Sequence, residues 1–102
     1  MLKEKVYEIS KTLNGSELVM AIKGRLDTVT APELEKALVL DGVTNLVLDL
    51  HDLDYLSSAG FRTILNAQKA MKSKGTMVVR NVKPEIKEIF DMTGFSSILT
   101  IE

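Results

Sequence analysis

Two adjacent hydroxyls, Ser57 and Ser58, are followed by the small residues Ala59 and Gly60 in this chain of 102 residues. A serine at the start of a helix can cap backbone N–H groups that have no carbonyl partner in the first turn. The same position suits phosphorylation, because free amides and the positive end of the helix dipole favour an added anion. The local chemistry permits both uses, and Ala59 and Gly60 keep the helix start uncrowded.

Other reactive side chains are sparse. His51 is the only histidine, so a metal cluster or a Ser-His pair would have to be built around it alone. A solvated loop histidine after a strand is the expectation. Asp49, Asp52 and Asp54 lack the glycine and terminal glutamate of a calcium loop, and they fit solvation or turn formation. There is no cysteine, which excludes thiolate catalysis, zinc-thiolate sites and disulfides. Gly24, Gly42, Gly60, Gly75 and Gly94 are isolated, so neither a phosphate-cradling loop nor a dinucleotide fingerprint is formed. The expectation is a protein without catalytic residues, metal or cofactor.

Elements that would position the serines follow from the hydrophobic pattern. Val6 to Ile9 and Leu18 to Ile22 are strand-like, with the hairpin signal Asn14-Gly15 between them. Thr30-Ala31-Pro32-Glu33 offers a cap, a first-turn proline and a capping-box glutamate. Leu34, Ala37 and Leu38 then give an apolar stripe, which Asp41-Gly42 should end. Leu46 to Leu50 reads as a buried strand. Phe61, Ile64, Leu65 and Met71 form the next stripe, with Arg62, Asn66, Lys69 and Lys72 on the solvated side and an end near Gly75. Met77 to Val79 is a strand, Pro84 opens a helix carrying Ile86, Ile89 and Phe90 to Gly94, and Ile98 to Ile101 is the last strand. Met71, Met77 and Met92 are expected as core filler.

This order predicts an α/β domain with a mixed sheet, an N-terminal hairpin followed by parallel strands with crossover helices. A single domain spanning 1–102 is expected. Loops leaving the strands near Gly24 and Leu50 should emerge on one edge of the sheet, which brings Gly24 to Thr28 beside Asp54 to Gly60. A composition 45% hydrophobic and 26% charged fits an ordinary globular domain. No apolar run approaches the about 20 residues that span a bilayer, and the charged start lacks the apolar stretch of a signal peptide. The reading is cytoplasmic, without membrane insertion. The net charge of -1 gives no electrostatic footprint for direct nucleic-acid binding, so protein partners are expected.

Gly24 to Thr30 followed by Leu34, Leu46 to Leu50, Leu53 to Phe61, and Phe90-Asp91-Met92-Thr93-Gly94-Phe95 together resemble the STAS domain of bacterial anti-sigma-factor antagonists. The central signature, aromatic-apolar-x-Ser-x-Gly-apolar, is spelled here by Tyr55, Leu56, Ser57, Ser58, Ala59, Gly60 and Phe61. The resemblance implies a protein that binds an anti-sigma factor with serine kinase activity, is inactivated by phosphorylation, and is reset by a serine phosphatase. By position it makes Ser58 the phosphoacceptor, with Ser57 the second choice, and Asp27 an acidic residue of the partner-binding surface. Thr28, Ala59, Gly60 and Arg62 join Asp27, Ser57 and Ser58 on that surface. Ser57 stands where these antagonists commonly have Asp, and Arg62 where many have a small residue. The alternative from a different class is a non-phosphorylated STAS scaffold, a subunit of a signalling or transporter complex. The oligomeric state is left open.

Overall fold

Asn14 pairs with Glu17 across the two-residue loop Gly15-Ser16, which closes a hairpin between β1 (Tyr7–Asn14) and β2 (Glu17–Leu26). Gly15 sits at φ 63, a left-handed conformation that glycine adopts without steric cost. A computed structural model of the chain describes residues 7–94 and 98–102, so Val6 and Phe95 lie outside the described residues. After the hairpin come α1 (Ala31–Ala37), β3 (Asn45–Asp49), β4 (Leu53–Leu56), α2 (Ser58–Lys72), β5 (Thr76–Arg80), α3 (Pro84–Met92) and β6 (Thr100–Ile101).

The sheet runs β1-β2-β3-β5-β6, with β4 paired to the end of β2. Among the described residues only the β1–β2 pair is antiparallel. The mixed sheet with crossover helices is therefore the architecture that the sequence pattern predicts. The strand count differs by one, because β4 occupies part of what reads as the loop from Asp54 to Gly60. Its residues follow the pattern buried-exposed-exposed-buried, with Leu53 and Leu56 inside. That spacing breaks strand alternation, and the register shift between Gly24 and Arg25 absorbs it: Gly24 pairs with Leu53 while Arg25 pairs with Tyr55, which leaves Asp54 unpaired.

Every second residue of the central strands feeds one core. Leu18, Met20 and Ile22 of β2, Leu46 and Leu48 of β3, and Met77 and Val79 of β5 are buried together with Leu34, Ile64, Met71, Ile86 and Phe90 from the helices. Val19, Val47 and Val78 stand in register on the opposite face. Arg62, Asn66, Lys69 and Lys72 are exposed along α2 as the stripe predicts. Gly94 follows α3 at φ 78, in keeping with its expected role as the stop.

Three local expectations are corrected. The helix opened by Pro32 ends at Ala37 rather than at Asp41-Gly42, since Leu38 leaves helical geometry with ψ 75. Thr30 is its N-cap residue but makes no side-chain cap bond, so the Thr30–Glu33 capping box is not formed. Met71 and Met77 fill the core, whereas Met92 is 79% exposed.

Candidate functional site

The loops leaving β2 and β4 do meet at one edge, and a backbone hydrogen bond from Ser57 N to the Leu26 carbonyl (2.9 Å) joins them. That bond ties the residue that precedes Asp27 to the residue that precedes Ser58. Gly60 makes the junction possible. A Cβ at this position would lie 2.5 Å from the Leu26 carbonyl oxygen and 2.7 Å from Leu26 Cγ, so only glycine lets the first turn of α2 rest on the end of β2. Phe61 anchors the next position, buried and stacked on Phe90 with ring centroids 5.2 Å apart. The Phe90 end of the last resemblance segment therefore supports this helix start from beneath.

The two serines have separate roles. Ser57 is the N-cap of α2: its backbone is extended and its hydroxyl accepts from the Gly60 amide at 3.2 Å. Ser58 is the first helical residue; it is exposed, and its hydroxyl has no hydrogen-bond partner among the described residues. The first turn of α2 contains no acidic residue of its own. Ala59 is half-buried beside it. Arg62, one turn further along the exposed face, has no ion-pair partner among the described residues.

Asp27 is placed at the site but is closely held. Its Oδ1 accepts from Val29 N (3.0 Å), Thr30 N (3.1 Å) and the Thr30 hydroxyl (3.2 Å), while Oδ2 meets Arg25 Nε at 3.3 Å. The amide bond from Thr30, foremost, then that from Val29 and the Arg25 contact hold its carboxyl below the usual aspartate range, against the opposing effect of partial desolvation. Thr30 is buried; its Oγ1 shares its one proton between the Arg25 carbonyl at 2.8 Å and Asp27 Oδ1, and accepts from Asp27 N at 2.8 Å. The threonine thus ties the loop internally, which is why it does not cap α1. Thr28 is exposed on the outside of the same turn.

Three exposed neighbours, Arg25, Tyr55 and Val29, add to this edge. The Arg25 guanidinium lies 4.2 Å from the centroid of the Tyr55 ring, a cation–π contact across the β2–β4 register. Tyr55 is 43% exposed and Val29 is 78% exposed, so the edge carries apolar surface as well as charge. The Arg25–Tyr55 pair requires β4 to be recognised as a strand, and its bulge conceals it. His51 is exposed in the turn after β3, with Nδ1 2.9 Å from Asp52 Oδ1. Asp49 Oδ1 accepts from His51 N at 3.0 Å, and Asp54 pairs with Lys83 at 2.7 Å, so these carboxylates serve a turn and a surface ion pair. Among the described residues no helix is long and apolar enough to cross a membrane.

Residues 8–102 match the family model of the STAS domain. Over 88 residues the chain is 35% identical to BtrV of Bordetella bronchiseptica, a candidate anti-sigma factor antagonist, covering 82% of this chain and 76% of that protein. Among solved structures, an anti-sigma factor antagonist from Mycobacterium paratuberculosis matches with a TM-score of 0.83 at 23% identity, over 93% of this chain and 84% of that one. The Bacillus cell fate determinant SpoIIAA in its phosphorylated form matches with a TM-score of 0.71 at 16% identity, over 94% of this chain and 90% of that one. At these identities the two structural likenesses speak for the fold.

Proposed function

The chain belongs to the STAS domain family, and from that premise we propose that it is an anti-sigma factor antagonist, a cytoplasmic binding protein switched off by phosphorylation of Ser58. Its partner in this reading is an anti-sigma factor with serine kinase activity, and a serine phosphatase resets it. The antagonist role is supported by the name of the relative that is 35% identical. The observation that carries the switch is the contrast at one helix start: the Ser57 hydroxyl is occupied as a cap, while the Ser58 hydroxyl is exposed and unbonded among the described residues.

In the modification step the Ser58 oxygen attacks the terminal phosphorus of ATP bound by the kinase. The bond to the bridging oxygen breaks, ADP leaves, and the serine proton passes to a base of the kinase. The product carries about -1.5 to -2 charges on the edge that also bears Asp27. Docking that patch against a partner surface shaped for a neutral hydroxyl leaves the dianion desolvated and unpaired, a penalty of several kcal/mol in like-charged or apolar surroundings. Binding is then lost without refolding of the domain. Thr28, Ala59, Gly60 and Arg62 complete the docking surface in this reading.

The test is incubation with candidate anti-sigma kinases and ATP, followed by peptide mapping and a binding comparison. Ser58→Ala is expected to bind the anti-sigma factor and to remain unmodified, while Ser58→Asp weakens binding about tenfold or more. Undiminished modification of Ser58→Ala would place the acceptor elsewhere. A complex indifferent to Ser58→Asp would favour a scaffold role instead.

A further inference from the structure

We infer that Arg62 is the intramolecular partner of a phosphate on Ser58, so that modification both adds a dianion and withdraws a cation that this face of α2 offers near the site. The inference rests on the proposed phosphorylation of Ser58 and concerns its consequence within the chain. Ser58 and Arg62 are separated by four residues in a continuous helix, Ser58–Lys72, and both are exposed. That spacing stacks their side chains on one face with Cβ atoms about 5–6 Å apart, well within the reach of an arginine. The order is the favourable one, with the acid N-terminal to the base.

Competition for the two groups is slight. Arg62 has no ion-pair partner among the described residues, so no existing bond must break. Arg25, a cation at the end of β2, already contacts Asp27 and lies over Tyr55. Lys69 is exposed on the same helix but lies eleven residues on, about 16 Å along the axis. A planar guanidinium also suits two phosphate oxygens at once. In the unmodified protein Arg62 remains available to a carboxylate of the partner. In the modified protein it folds back onto the phosphate, and the face turns from cationic to anionic.

The test uses the full chain with phosphoserine genetically encoded at position 58, so it does not depend on finding the kinase. The phosphate is titrated by phosphorus NMR in the parent, Arg62→Gln and Arg62→Lys. A cation held against the phosphate favours its dianion, so its second pKa should rise by about 0.3 units in Arg62→Gln. Arg62→Lys should return most of that shift, and 1 M salt should shrink the difference. Any effect of the helix terminus itself is common to all three proteins and cancels. If the Arg62→Gln titration superposes on the parent curve at low salt, the pairing does not exist. If instead no kinase modifies Ser58, the functional reading fails while this titration still decides the pairing.

Discussion

The loop leaving β2 and the loop leaving β4 lie side by side, linked by the Ser57–Leu26 hydrogen bond, yet they use their polar groups in opposite ways. In the first, Asp27 and Thr30 bond to each other and to the backbone of the same turn, and Thr30 is 1% exposed. In the second, Ser57 closes the helix with one bond and Ser58 is left with none among the described residues. A carboxylate that accepts three hydrogen bonds and an arginine contact is a fixture. A solitary exposed hydroxyl at a helix start is a group that another molecule can reach and change. The acidic residue at this edge therefore shapes the platform, and in the proposed switch the serine is the part left to report a signal.

The largest expected effect tests whether the two loops depend on one another. Gly60→Ala drives a methyl group into the Leu26 carbonyl, a backbone atom that cannot rotate away. Overpacking of this kind costs up to about 3 kcal/mol, and the better helix propensity of alanine offsets about 1, leaving a net loss of about 2 kcal/mol. Urea unfolding should show it as a lower midpoint. An unchanged midpoint would mean that α2 can slide off β2 freely, and the shared platform would lose its basis.

The next effect sharpens the claim that Asp27 is structural. Asp27→Ala strips the Val29 and Thr30 amides of their acceptor and should lower the midpoint clearly at pH 7, whereas Asp27→Asn keeps an acceptor oxygen and should lower it less. Because folding holds this carboxyl below the ordinary value of 3.8, its charged form stabilises the native state. That contribution is fully present above about pH 3.8 and is lost as the pH falls below it towards the folded pKa. The parent should therefore lose stability more steeply than Asp27→Asn below pH 4. Parallel profiles would show that the charge contributes nothing to the loop.

Much of this was legible in the residues because periodicity and punctuation agreed. Phe61, Ile64 and Met71 define the buried face of α2, and Pro84 and Gly94 bracket α3. The strand β4 was not, since the bulge at Gly24 and Arg25 replaces alternation with Leu53 and Leu56 three residues apart. Thr30 misleads for a related reason. Its spacing to Glu33 fits a capping box, but the tertiary turn engages its hydroxyl first. At the candidate site, the residue pattern anticipated that the loops after β2 and β4 meet at one edge. It could not separate a capping serine from a free one, because that depends on which hydroxyl points at the Gly60 amide.

That separation yields the smallest and most selective effect. Ser57→Ala removes the acceptor of the Gly60 amide and should cost about 1 kcal/mol, the usual worth of a helix N-cap. Ser58→Ala removes a hydroxyl bonded to nothing among the described residues, and alanine suits the first helical position, so the change should stay within about 0.5 kcal/mol. The pair therefore splits stability from signalling: the first substitution should lower the unfolding midpoint, and the second should leave it in place while abolishing modification. Equal losses from both would mean that Ser58 also holds the helix start. A hydroxyl with that duty could not be phosphorylated without disturbing the platform, and the contrast between the two loops would disappear.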